Sequence, residues 1–111
     1  FLTMADASLT KAFPGIRVVT FGHVGDGNLH YNLSRGDAQE NATFIASQAA
    51  VNRIVHDIVF ALHGSISAEH GIGQLKRDEL MRYKSPVEMA LMRTIKQALD
   101  PRGLMNPGKV L

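Results

Sequence analysis

His23 and His30 stand on either side of the turn in Phe21-Gly-His-Val-Gly-Asp-Gly-Asn-Leu-His-Tyr-Asn32. Asp26-Gly27 is a dipeptide favoured in two-residue type I′ hairpins, whose central residues both need positive φ. That turn predicts a register with Gly25 opposite Asn28, Val24 opposite Leu29 and His23 opposite His30. Directly opposed side chains have Cβ atoms roughly 4.5–5.5 Å apart, near enough for two imidazoles to share one metal ion. With a carboxylate from Glu69 they make a His, His, Glu set. Such a set suits catalytic Zn²⁺ or a related divalent ion and leaves a position open for substrate. The same pair also reads simply as two surface histidines on a polar sheet face, and both readings stay open.

His70 follows Glu69 directly in Ala68-Glu-His-Gly71. An imidazole ordinarily titrates near ~6.5, which suits a general base working near neutrality; the competing reading is a histidine that caps the next helix. Gly71 and Gly73 would let backbone approach a ligand closely. Gly71-Ile-Gly73 lacks the third glycine of a dinucleotide fingerprint, and Gly22, Gly25 and Gly27 miss that spacing too. His56 is expected on the solvated side of its helix with Asn52 and Arg53, and His63 at a helix end where a cation suits the dipole. Asp26-Gly-Asn28 lacks EF-hand spacing, and no serine stands in a nucleophile-elbow sequence. The five methionines are expected as core filler.

Elements to position these residues are legible on both sides. Ala5 to Phe13 reads as the end of a helix closed by Pro14-Gly15. Ile16 to Val24 and Asn28 to Ser34 read as strands rich in β-branched and aromatic residues. One face of that hairpin carries Val18, Thr20, Val24, Leu29, Tyr31 and Leu33, and the other carries Phe21, His23, His30 and Asn32. Asp37 with Glu40 offers a capping-box start for a helix running to about Leu62, with Phe44, Val51, Ile54, Val55, Ile58, Val59 and Leu62 at helical spacing. Ser65 to Glu69 reads as a short strand, followed by a glycine-marked turn and a helix from about Gly73 to Tyr83. Ser85-Pro-Val-Glu88 is a strong helix start; that helix carries Val87, Leu91, Ile95, Ala98 and Leu99 on one side and stops before Pro101. The tail from Arg102 to Leu111 reads as irregular. The order predicts an α+β domain with helices layered on an antiparallel sheet. Its three strands leave edges, which invite a missing part or a second copy.

At 111 residues, 45% of them hydrophobic, the chain is one domain's worth with enough apolar material for a core. It begins at Phe1 rather than methionine, so the expectation is a processed product or a piece of a longer protein. The net charge is +2 and the sequence pI about 9.2. Basic residues are dispersed among acids without the clusters that nucleic-acid binding uses, so a nucleic-acid partner is not expected. Without cysteine, disulfides and Cys-type zinc sites are ruled out, and any transition metal falls to His, Asp or Glu. No apolar run reaches the length of a membrane span and no signal peptide opens the chain. The expectation is a soluble, cytoplasmic protein whose parent is peripheral to a membrane or mitochondrial at most.

Three segments go beyond composition: Gly22-His-Val-Gly-Asp-Gly-Asn-Leu-His-Tyr-Asn32, Gly64-Ser-Ile-Ser-Ala-Glu-His-Gly-Ile-Gly73 and Leu99-Asp-Pro-Arg-Gly-Leu-Met-Asn-Pro-Gly-Lys109. In this order they resemble the carboxy-terminal domain of the FAD-linked oxidase family. That group contains D-lactate and D-2-hydroxyglutarate dehydrogenases and the flavoprotein subunit of glycolate oxidase. The resemblance implies a partial ferredoxin-like substrate domain with a helical carboxy-terminal segment, whose FAD is bound by a larger domain outside residues 1–111. It implies oxidation of a D-2-hydroxy acid to the 2-oxo acid, a divalent metal such as zinc held by His23, His30 and Glu69, substrate binding by Asn32, and removal of the hydroxyl proton by His70. The segment alone is then expected to be inactive and to associate with copies of itself. His63 departs from the glycine the family pattern carries at that point. The substrate-clamping basic residues and the FAD domain have no counterpart here, and whether 106–109 reaches the flavin stays open. The alternative from another class is a self-contained, non-redox metal-binding or assembly module.

Overall fold

The computed structural model describes residues 1–36 and 38–111, with backbone alone at 38, 39 and 41. Five helices and a two-stranded antiparallel sheet are found among the described residues, an α+β arrangement. Two compact units divide the chain, Phe1–Ala68 and Glu69–Leu111.

In the first unit, α1 (Leu2–Ala12) precedes the hairpin of β1 (Arg17–His23) and β2 (Asn28–Ser34). α1 starts three residues ahead of the expected span, and Phe13 N–H closes it by donating to the Leu9 carbonyl before Pro14 can interrupt. The strands match their expected spans, β1 being shorter by one residue at each end. Alternation holds over most of β1, where Val18 and Thr20 are half-buried while Arg17, Val19 and Phe21 are exposed. Leu9, Phe44 and Val51 form the core of this unit, with Phe13, Ile16, Tyr31, Leu33, Ile54 and Val55 packed against it. Tyr31 ties the sheet to α1. Its hydroxyl donates to Asp6 Oδ1, its ring meets Phe1 edge-on at 5.4 Å, and burial with the Asp6 carboxylate pushes its phenol pKa up.

The long helix expected up to Leu62 is two helices, α2 (Ala38–Ile45) and α3 (Gln48–Ala61). At the break, Ser47 N–H donates to Phe44 three residues back, and the Ser47 carbonyl then starts the next ladder by accepting from Ala50 and Val51. A tightened turn of this kind interrupts the i to i−4 pattern without any glycine or proline to announce it. The proposed Asp37–Glu40 capping box lies outside the described residues. α3 ends in a Schellman motif: His63 N–H donates to Phe60 O and Gly64 N–H to Val59 O, with His63 left-handed at φ 56°. Glycine usually occupies that position. His56, expected on the solvated side, is instead buried, at 8% exposure.

The strand expected over Ser65–Glu69 does not form. Ser65 Oγ accepts from Ser67 N–H and donates to the Ser67 carbonyl, a local arrangement that uses the backbone groups a ladder would need. In the second unit, α4 (Arg77–Tyr83) begins four residues later than Gly73, because Gly73 is itself left-handed at φ 58° and the next residues make only turns. α5 (Pro86–Leu99) carries the anticipated capping box. Ser85 Oγ accepts from Glu88 N–H, and Glu88 accepts from Ser85 N–H and from Lys84 Nζ at 2.8 Å. The Lys84 bond first, and the Ser85 bonds after it, hold the Glu88 carboxyl down at about 2. Met89 is buried, whereas Val87, Leu91, Ile95 and Leu99 remain exposed. The methionines are therefore not core filler as a class: Met4, Met81 and Met105 are exposed and Met92 is half-buried.

Beyond α5 the tail is irregular but anchored. Asp100, 7% exposed, accepts from Lys96 Nζ and from the N–H groups of Leu104 and Met105. Val110 N–H donates to the Gly73 carbonyl at 2.7 Å, and Lys109 Nζ donates to Gln74 Oε1 at 2.7 Å. The tail thereby clips onto the loop that follows His70.

Candidate active site

The hairpin pairs in a register two residues away from the expected one. His23 stands opposite Asn28, Gly22 opposite Leu29, and Phe21 opposite His30. The loop is therefore four residues long, Val24 to Gly27, rather than a two-residue turn. Gly27 is left-handed at φ 69°, but Asp26 is not among the positive-φ residues, and a type I′ turn needs both. Asp26 Oδ1 instead accepts from Asn28 N–H at 3.2 Å, an Asx turn that fixes the longer loop. Val24, expected on the core face, lies in this loop and is 99% exposed.

A shift by two keeps each side chain on its face, since strand side chains alternate with period two. Val19, Phe21, His23, Asn28, His30 and Asn32 share the outward face. His23 and His30 are diagonal neighbours there, at the roughly 7–8 Å spacing of such positions, rather than an opposed pair. His23 is exposed and His30 half-buried. The strands approach so closely at Gly22 that a Cβ there would lie 1.9 Å from the Asn28 carbonyl oxygen. Glycine is the residue this crossing point admits.

His30 does have a directly opposed partner, and it is aromatic. The Phe21 and His30 rings stack with centroids 4.8 Å apart and planes 14° from parallel. This contact escaped the sequence because the assumed turn length set Phe21 against the wrong residue. Asn32, one rung further along, borders a cleft of about 240 Å³ with Tyr31, Leu33, Phe44, Gln48 and Asn52.

Glu69 and His70 open the second unit in an irregular, exposed stretch ahead of Gly71, which is left-handed at φ 69°. The structure thus gathers His23, His30 and Asn32 on one sheet face of the first unit, and sets Glu69 beside His70 in the second. Within neither unit, among the described residues, do three His, Asp or Glu side chains cluster as metal ligands. The hairpin does offer two imidazole nitrogens, which are among the donor types, with carboxylates, that a divalent transition ion takes from a protein lacking cysteine.

Residues 1–110 match the model of the C-terminal domain of FAD-linked oxidases. The chain belongs to that family. It is 46% identical over 110 residues to a protein named D-2-hydroxyglutarate dehydrogenase in Stutzerimonas stutzeri, a match covering 99% of this chain and 24% of that protein. A D-2-hydroxyglutarate dehydrogenase of Xanthomonas citri is 47% identical over 99% of this chain and 23% of its own length. A D-lactate dehydrogenase of Anaerostipes hadrus is 40% identical over 99% of this chain and 22% of its own. The chain therefore spans about a quarter of the length of these curated relatives. No helix among the described residues is long and apolar enough to cross a membrane.

Proposed function

We propose that this chain is the substrate-side part of an FAD-dependent enzyme that oxidises a D-2-hydroxy acid, of the lactate, glycolate or 2-hydroxyglutarate type, to the 2-oxo acid. The observation that carries the reading is the single sheet face presenting His23, His30 and Asn32, in a chain whose relatives bear dehydrogenase names. FAD, bound by a domain outside residues 1–111, supplies a hydride acceptor, and a divalent metal such as zinc supplies Lewis-acid lowering of the hydroxyl pKa.

His23 and His30 would hold that metal through ring nitrogens, and Glu69 through its carboxylate. Asn32 binds the substrate by donating its amide N–H to a carboxylate oxygen. His70 accepts the hydroxyl proton as the C–H bond is broken. Having no flavin domain, residues 1–111 alone are inactive. The setting would be cytoplasmic, or mitochondrial as in the Arabidopsis thaliana relative named a mitochondrial D-2-hydroxyglutarate dehydrogenase, 43% identical over 94 residues.

The test is turnover by the full-length flavoprotein with D-2-hydroxyglutarate, D-lactate and glycolate, using an artificial electron acceptor. His70→Ala should lower kcat by at least about a hundredfold, the scale of general-base catalysis, with FAD absorbance retained. Unchanged turnover on every substrate would refute the base assignment, and no turnover by the parent on any of them would refute the substrate class.

A further inference from the structure

We infer that Phe21 is a positioning residue for His30, fixing the plane of that imidazole so that it meets a metal with its ring orientation already set. This rests on the reading of His30 as a metal ligand. The two residues are directly opposed across the hairpin, and their rings lie 4.8 Å apart and nearly parallel. Phe21 is 57% exposed, so burial of apolar area alone is a poor account of an aromatic ring at this position.

The chemistry of the stack suits the role. A metal bonds an imidazole nitrogen through a lone pair lying in the ring plane, whereas Phe21 covers the ring's face. The two interactions therefore use different directions and do not compete. Ligation withdraws electron density from the imidazole, and an electron-poor ring against the electron-rich face of benzene is a favourable pairing. Groups that orient a ligating histidine are ordinarily hydrogen-bond acceptors on its other nitrogen; a π-face over the ring adds a constraint on its plane. Because His23 and His30 are diagonal neighbours rather than an opposed pair, the direction in which His30 points decides whether the two nitrogens can converge.

The experiment uses the full-length flavoprotein, stripped of metal by chelation and titrated with Zn²⁺ against a chromophoric chelator. His30→Ala should abolish the competing zinc site. Phe21→Leu, which keeps apolar bulk and removes the ring, should weaken zinc binding about three- to tenfold, the scale of a lost aromatic stack. Phe21→Tyr restores the π-face and should return the affinity to that of the parent. Should Phe21→Leu lower the melting temperature, Phe21→Met is read in its place. If His30→Ala binds zinc as the parent does, the metal reading fails and this inference with it. If His30→Ala loses zinc while the Leu or Met variant binds normally, the positioning role alone is overturned. A Tyr variant as weak as the Leu variant also overturns it, because stacking would then not be the cause.

Discussion

Replacing His63 by glycine should stabilise the first unit, and the expected size follows from the backbone at the end of α3. His63 occupies the left-handed position of a Schellman motif at φ 56°, with both motif hydrogen bonds made, His63 N–H to Phe60 O at 3.0 Å and Gly64 N–H to Val59 O at 2.8 Å. An L-residue in that conformation costs about 1–2 kcal/mol, because its Cβ crowds the following carbonyl. Glycine escapes this cost but gives back about 0.5–1 kcal/mol through its greater freedom in the unfolded chain. The net gain is then about 0–1.5 kcal/mol with a midpoint of ~0.75, or roughly 3 °C in melting temperature for a chain of this length. Thermal melting of the parent, His63→Gly and His63→Ala by circular dichroism separates the contributions. His63→Ala keeps the backbone cost and should melt close to the parent, whereas His63→Gly should melt higher. If glycine fails to raise the melting temperature while alanine lowers it, the imidazole contributes contacts that outweigh the backbone cost, and the reasoning is refuted.

Three further outcomes are expected. Gly22→Ala would drive a Cβ into the Asn28 carbonyl and should destabilise the hairpin by about 1–3 kcal/mol, read as faster amide exchange over residues 28–31; unchanged protection would contradict the close approach. The bond from Lys96, then those from the Met105 and Leu104 amides, hold the Asp100 carboxyl at about 2, below its ordinary range. A depressed carboxylate contributes stability that is full above the unfolded value near ~4 and disappears as pH falls through the folded one. The Leu104 and Met105 amide signals should therefore shift as pH falls through about 2, while the stability contribution is lost from pH ~4 downward, and Asp100→Asn should abolish that titration; signals still titrating there in the variant would contradict it. Among the described residues the sheet has two strands, and a sheet so narrow has an outer edge on each strand, so the isolated chain should associate with copies of itself. Light scattering that reports a stable monomer at every concentration would count against that.

Elements specified by local chemistry are legible in the sequence. Ser85, Pro86 and Glu88 announce α5 because a capping box is closed within four residues, and β1 and β2 are marked by their β-branched and aromatic residues. The face shared by His23, His30 and Asn32 was legible for the same reason, since a period of two survives a register error of two. The register itself was not legible. It turned on whether Asp26 would take positive φ, as a type I′ turn asks, or bond Asn28 N–H, as it does. Ser65–Glu69 has the composition of a strand, but its serines satisfy one another locally. Likewise, the break at Ser47 and the burial of His56 are decided by packing, on which helical periodicity is silent. The face of Phe21 follows from the period of two, whereas its pairing with His30 follows from the loop length, which local sequence does not determine.

The most direct test of the proposed site is metal analysis of the full-length flavoprotein and of three single variants, His23→Ala, His30→Ala and Glu69→Gln. The account predicts one divalent ion per chain in the parent, with each variant losing most of it while FAD stays bound. A parent that purifies and functions without a divalent ion, or a Glu69→Gln protein that keeps its full complement, would contradict it.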